Sequence, residues 1–222
     1  MSSMFRPGRF QYLPPVIKNL IIINGLFWLA QITIGRDAVP MSDLFALHYY
    51  QSEFYKPWQF LTYMFMHDPN SFFHILFNMF GLWMFGSTLE NLWGSVRFVI
   101  FYLLCGLGAG FVQMGALWFD LHQLPYEIFM SRIDVPTLGA SGAVMGIFAA
   151  FGYTFPNSEM IVLPIPFPIK AKYAMIGLVV LDIIGGISND QSGVAHFAHV
   201  GGAVVGILIL LIWNKNNRKT FY

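Results

Sequence analysis

Apolar positions run along this chain in long unbroken blocks, and polar residues collect between them. A span across a bilayer needs about 20 mostly apolar residues, and six segments approach that length, near 16–35, 72–92, 97–119, 137–155, 170–187 and 194–213. The pattern predicts an all-α polytopic membrane protein with six transmembrane helices. Its expected organisation is a short tail over residues 1–15, a membrane domain over 16–213 and a second short tail over 214–222. The N-terminal stretch "MSSMFRPGRFQYLPP" has no short apolar core or small-residue cleavage site, so the whole chain reads as mature protein.

Two of the outer connections are long enough to have a role of their own. The first, residues 36–71, mixes Trp58, Tyr49, Tyr50, Phe54 and Tyr55 with scattered charges, a composition suited to a structure lying in the headgroup region. The last, "GGISNDQSG" at 185–193, is rich in turn residues and is expected to act as a gate. The fourth span is unusual. Gly139 and Gly142 flank Ser141 and Pro156 closes the run, which leaves a helix of roughly 22 Å at 1.5 Å per residue, short of a hydrocarbon core of about 30 Å. Its N-terminus, with unpaired N–H groups, is then expected inside the membrane, and the irregular backbone before it must line a cavity or be buried.

Composition agrees with the pattern. The chain is 56% hydrophobic and only 10% charged, with a mean hydropathy of +0.59, whereas soluble domains carry about 25% charged residues. A net charge of +1 with scattered basic residues points to no nucleic-acid partner. Placing both termini inside puts nine of the twelve lysines and arginines on the inner side, the orientation favoured by the distribution of positive charge. Cys105 stands alone, cannot form an intrachain disulfide, and reads as a small packing residue.

The chemistry gathers in three spans. Gly-x-Ser-Gly at 139–142 by itself is compatible with helix packing. "AHFAHVGGAVVG" then places His196 and His199 on one helical face ahead of Gly202-x-x-x-Gly206, a close-approach motif. "FHILFNMFGLW" puts His74 and Asn78 at i and i+4. Polar groups this deep are expensive and count as functional candidates. A metal site is one reading, but the spacing lacks the usual companion glutamate motif. Nucleophilic catalysis accounts for more of these residues. Ser141 could attack a carbonyl with His199 as base, while N–H groups at the helix start, with His74 and Asn78, meet the oxyanion. Glu90 and Asp182 are the only carboxylates within spans, and neither is near a candidate catalytic residue in sequence. A Ser-His dyad is therefore the simpler proposal, with Asp182 read as a structural hydrogen-bonding residue and Glu90 as a packing or capping residue.

His74-x-x-x-Asn78, Gly139-Ala-Ser141-Gly, Ala-His199-Val-Gly-Gly202-x-x-x-Gly206 and Gly86-x-x-x-Glu90-x-x-x-Gly94 together resemble the rhomboid intramembrane serine proteases over nearly the whole chain. The resemblance implies a six-helix rhomboid-like bundle, Ser141 as nucleophile, His199 as general base and His74 and Asn78 as oxyanion donors. It also implies that the outer loop lies in the interface and that the last loop and fifth helix gate access. His196 would be a neighbouring packing or hydrogen-bonding residue and His67 a stabiliser of the first loop. Trp58-Gln59 stands where many relatives have Trp-Arg, which puts a charge-based anchor of that loop in doubt. Met145 stands where relatives often have an aromatic ring beneath the histidine.

The expected substrates are transmembrane proteins in the lipid bilayer, cut near a locally unwound segment after a small residue, with no metal or organic cofactor. A prokaryotic plasma membrane is the expected location. The competing readings are a proton-coupled transporter, which would show paired halves that this sequence lacks, and a non-proteolytic rhomboid-like binder of membrane spans.

Overall fold

A computed structural model describes residues 10–34, 39–162, 166–188 and 194–216 of the chain. Helix α1 runs over Pro15–Thr33. Two short helices, α2 at Met41–Phe45 and α3 at Gln59–Thr62, lie in the first outer loop, and α3 leads into a 3₁₀ turn at Tyr63–Phe65. The second span is α4, Phe72–Gly81, continued through a π-helical segment at Leu82–Gly86 into α5, Ser87–Trp93. Then come α6 at Ser95–Leu121, the short α7 at Tyr126–Arg132, and α8 at Ser141–Thr154. A small antiparallel pair, β1 at Glu159–Met160 and β2 at Ile169–Lys170, precedes α9 at Ala171–Ile187 and α10 at His196–Asn216.

The architecture is an all-helical polytopic bundle. Among the described residues four helices are long and apolar enough to cross a membrane, namely Pro15–Thr33, Phe72–Trp93, Ser95–Leu121 and His196–Lys215. The other two apolar segments form shorter helices: α8 has 14 residues and α9 has 17. At 1.5 Å per residue α8 is about 21 Å long. It begins at Ser141, as the glycine pattern predicts, and residues 137–139 lie outside it.

Large apolar side chains such as Leu26, Leu181, Ile184 and Ile212 are exposed, as a lipid-facing surface requires. The centre of the bundle is α8, which packs against α6, α9 and α10. A Cβ on Gly202 would overlap the carbonyl of Gly142, and one on Gly206 would come within 2.8 Å of the Gly146 carbonyl oxygen. The two glycine pairs thus let α8 and α10 cross backbone to backbone, where lipid gives no hydrophobic drive for helices to associate. Cys105 is buried opposite Gly146, the packing place expected of it.

Glu90 ties the end of the second span to the starts of α1 and α6. Its Oε1 accepts from the Val16 N–H at 3.0 Å and the Ser95 hydroxyl at 2.6 Å, and its Oε2 accepts from the Ile17 N–H at 2.9 Å. The carboxylate therefore caps α1, whose first turn would otherwise leave these donors unpaired. This is the capping role expected from its sequence position.

The first outer loop is organised around Gln59, which is fully buried. Its Nε2 donates to the carbonyls of Asp43 and Phe54, each at 2.9 Å, and its Oε1 accepts from the N–H groups of His48 at 3.2 Å and Lys56 at 3.1 Å. A neutral amide, with donors and acceptors on one planar group, thus anchors the loop without a charge. Trp58 is half exposed and donates its indole N–H to the Leu44 carbonyl at 2.9 Å.

One expectation is corrected here. Gly185 and Gly186 are not loop residues, because α9 continues to Ile187 and is closed by Ser188. The remainder of the expected gate, 189–193, lies outside the described residues.

Candidate active site

The outer loop holds the backbone that leads into α8. Leu47 and Thr137 exchange two N–H to carbonyl hydrogen bonds, both 2.8 Å, and the Gly139 N–H donates to the Tyr63 carbonyl at 3.0 Å. Tyr63 is itself fixed by its hydroxyl, which donates to the Gly106 carbonyl at 2.6 Å. Gly139 has φ +126°, a conformation that favours glycine. A Cβ there would also lie 2.9 Å from Nε2 of His74. Glycine at 139 therefore permits both the turn into α8 and the approach of His74.

Ser141 is the first residue of α8, and no side chain caps that helix end. The N–H groups of a helix's first turn have no partner within the helix. Ser141 lines a cavity of about 830 Å³ together with His74, Asn78, Met145, His196 and His199. Five of the expected site residues thus share a wall with the candidate nucleophile. Trp58 and His67 are not on that wall. Among the described residues no hydrogen bond joins Ser141 Oγ to the His199 ring.

The tautomer of His74 follows from its neighbour. The Asp68 N–H donates to Nδ1 at 3.2 Å, so Nδ1 carries the lone pair and the neutral ring holds its proton on Nε2. That nitrogen is the one against Gly139, which places an N–H donor beside the start of α8. Asn78, one turn on, is buried and donates from Nδ2 to the His74 carbonyl at 2.9 Å. An amide nitrogen has a second hydrogen to offer.

His67 is buried behind His74, with ring centroids 5.1 Å apart. Its backbone is clasped by Gln31 of α1: Gln31 Nε2 donates to the His67 carbonyl at 2.7 Å, and Gln31 Oε1 accepts from the His67 N–H at 2.9 Å. Burial, with a smaller contribution from His74, lowers its pKa from the ordinary 6.5 to about 3, so this imidazole is neutral at ordinary pH.

The absence of a carboxylate near the candidate base is corrected by the structure. Asp182 of α9 places Oδ1 at 2.9 Å from Nδ1 of His199 and at 2.9 Å from Nδ1 of His196. Sequence separation concealed this, because the meeting depends on how α9 and α10 cross. Gly185 receives the His196 ring and Gly186 the Phe197 ring, so close that a Cβ at either position would collide. Gln113 of α6 also escaped notice. It is buried, and its Oε1 accepts from the Ala198 N–H at 3.1 Å, supporting the first turn of α10 beside His199. The available signal was a glutamine inside an otherwise apolar stretch, "GFVQMG". Among the described residues no group of three metal-ligating side chains is gathered.

Fold and cavity define a polytopic helical membrane protein with a polar site inside its bundle. Residues 55–216 match the Rhomboid domain, and the chain belongs to the rhomboid family. It is 29% identical over 209 residues to the rhomboid protease AarA of Providencia stuartii, a match covering 88% of this chain and 71% of that protein. It is 28% identical over 137 residues to the mitochondrial Rhomboid protein 1 of Saccharomyces cerevisiae, covering 62% of this chain and 37% of the relative. The mitochondrial Presenilin-associated rhomboid-like protein of Mus musculus is 32% identical over 151 residues, covering 65% of this chain and 37% of the relative. The chain is an integral membrane protein. Because mitochondrial proteins stand among the relatives beside the bacterial one, the expectation of a prokaryotic plasma membrane is not supported.

Proposed function

We propose that the chain is an intramembrane serine endopeptidase that hydrolyses a peptide bond in or near a transmembrane segment of another protein. The observation that carries this reading is the convergence of Ser141, at an uncapped helix start, with His199, the His74 Nε2–H and Asn78 around one cavity. Ser141 Oγ attacks the scissile carbonyl while His199 takes its proton, and the same proton passes to the leaving amine. The negative oxygen of the tetrahedral intermediate is met by N–H groups at the start of α8, by His74 and by Asn78. Water then hydrolyses the acyl-enzyme with His199 again as base. Contact between serine and base in catalytic sites commonly tightens only when substrate is bound.

A peptide bond within a helix is shielded, because its carbonyl is hydrogen-bonded and side chains surround it. Substrates are therefore spans that unwind locally at glycine, proline or polar residues, with a small residue before the cut. The distribution of positive residues supports both termini on the inner side, which puts the cavity end of the bundle outward.

Labelling the purified protein in detergent with a fluorophosphonate probe tests the nucleophile. The parent is expected to label and Ser141→Ala not to label, with cleavage of a transmembrane substrate falling at least about 10⁴-fold in the variant. Equal labelling of the two proteins would overturn the protease reading in favour of a non-proteolytic rhomboid that binds spans.

A further inference from the structure

Resting on the protease reading, a role for the carboxylate of α9 follows from the way it meets α10. One oxygen, Asp182 Oδ1, lies 2.9 Å from the Nδ1 atoms of both His196 and His199. An ionised carboxylate only accepts hydrogen bonds, so each Nδ1 must bear the hydrogen. For His199 this leaves the lone pair on Nε2, at the other side of the ring, and the residue lines the cavity that also holds Ser141. A general base for a serine needs that tautomer.

The surroundings fix the arrangement. Asp182 is 8% exposed. The glycines at 185 and 186, one turn further along α9, let the His196 and Phe197 rings seat directly on its backbone, so α9 cannot draw away from α10 without exposing both rings. Gln113 holds the Ala198 N–H from the opposite side. The titratable groups acting on Asp182 are His199 and His196, both from α10, and His199 in turn faces His74 of α4 across the cavity.

We propose that Asp182 is the positioning residue for His199, and that His196 divides this hold by hydrogen-bonding to the same oxygen. In the reaction the carboxylate keeps its charge and Nδ1 keeps its hydrogen throughout. The Ser141 proton moves to Nε2, the imidazolium so formed is stabilised by Asp182, and the proton leaves with the amine. Because the oxygen is shared, His199 feels less than the full effect of the charge.

Two variants make opposite predictions. In Asp182→Asn the full-length enzyme in detergent is expected to lose about 10²–10⁴-fold in kcat on a transmembrane substrate, with KM within about two-fold. The acid limb of its kcat/KM profile moves to lower pH, since His199 loses the charge that favours its protonated form. Asp182→Glu recovers part of kcat. In His196→Leu, which has no donor to offer Asp182, the acid limb moves to higher pH, because His199 no longer shares the carboxylate. A role limited to packing moves neither limb.

Nitrogen-15 NMR of the imidazoles in the Ser141→Ala background reads the tautomer without any turnover: Nδ1–H at His199 when Asp182 is present, a mixture in Asp182→Asn. An active parent whose Asp182→Asn variant keeps its kcat, acid limb and tautomer overturns the role of Asp182 alone. A parent that neither cleaves nor labels overturns the protease reading and the catalytic role with it.

Discussion

Glu90 and Asp182 are two buried carboxylates solved by opposite means. Glu90 is 2% exposed and receives hydrogen bonds from two backbone N–H groups and a serine hydroxyl. None of these donors titrates near neutral pH, and both N–H groups belong to a helix end that needs an acceptor. Asp182 receives two imidazoles on the edge of a cavity. Its donors are imidazoles, side chains able to take up and pass on a proton. A carboxylate held by main chain joins helices together, whereas one held by histidines at a cavity can influence chemistry. In the proposed protease the cavity end, the outer one, serves proton movement, and the Glu90 end, the inner one, attachment.

Changes at the outer end are therefore expected to alter rate and spare the fold, and changes at the inner end the reverse. After Ser141 and Asp182, the largest of these effects is expected for Asn78→Ala, which removes a donor from the cavity wall and lowers kcat about 10²–10³-fold, while losing its hydrogen bond to the His74 carbonyl costs only about 1 kcal/mol of stability. Unchanged kinetics would remove Asn78 from the oxyanion site. Glu90→Ala leaves the Val16 and Ile17 N–H groups without their acceptor and is expected to cost about 3 kcal/mol of stability. The fraction that remains folded, titrated with the fluorophosphonate probe, keeps its kcat. A stable Glu90→Ala protein with impaired turnover would erase the division between the two ends.

His67 sharpens the contrast at smaller scale, since it is buried beside the site yet held through its backbone. The unfolded chain binds a proton here below about pH 6.5, whereas the folded imidazole does so only near pH 3. The unfolded state thus holds more protons between those values. This contribution to stability is complete above about pH 6.5 and declines as pH falls. Acidifying from pH 7.5 to 5.5 is expected to cost the parent about 1 kcal/mol more than His67→Gln, measured by thermal unfolding at the two pH values.

Much of this contrast was visible in the order of residues. Long apolar runs mark spans because lipid demands them, and Gly139, through its positive φ, and Pro156, which cannot continue a helix, bracket α8 by local backbone conformation. The i, i+3 and i, i+4 spacings of His196 with His199 and of His74 with Asn78 correctly put each pair on a common face. What escaped depends on distant segments meeting. Nothing near Gln59 shows that its amide reaches Asp43 and Phe54, and the bridge from Leu47 to Thr137 spans 90 positions. Gly185 and Gly186 misled for a physical reason. In water such a pair signals a turn, but between packed membrane helices it makes room for a neighbour, and here that room is what brings two imidazoles to Asp182.

The π-helical segment at Leu82–Gly86 separates the stretch bearing His74 and Asn78 from the stretch bearing Glu90. A π turn accommodates one more residue than an α turn, so it sets the phase between the two halves of one span. Excising a single residue there would return the segment to α-helix with the two halves near their present phase, whereas an excision from the regular turns on either side would twist the lower half by about 100° and swing the α1 latch out of reach. The span thus holds a single spare residue, placed between the half that carries the candidate site and the half that carries the latch.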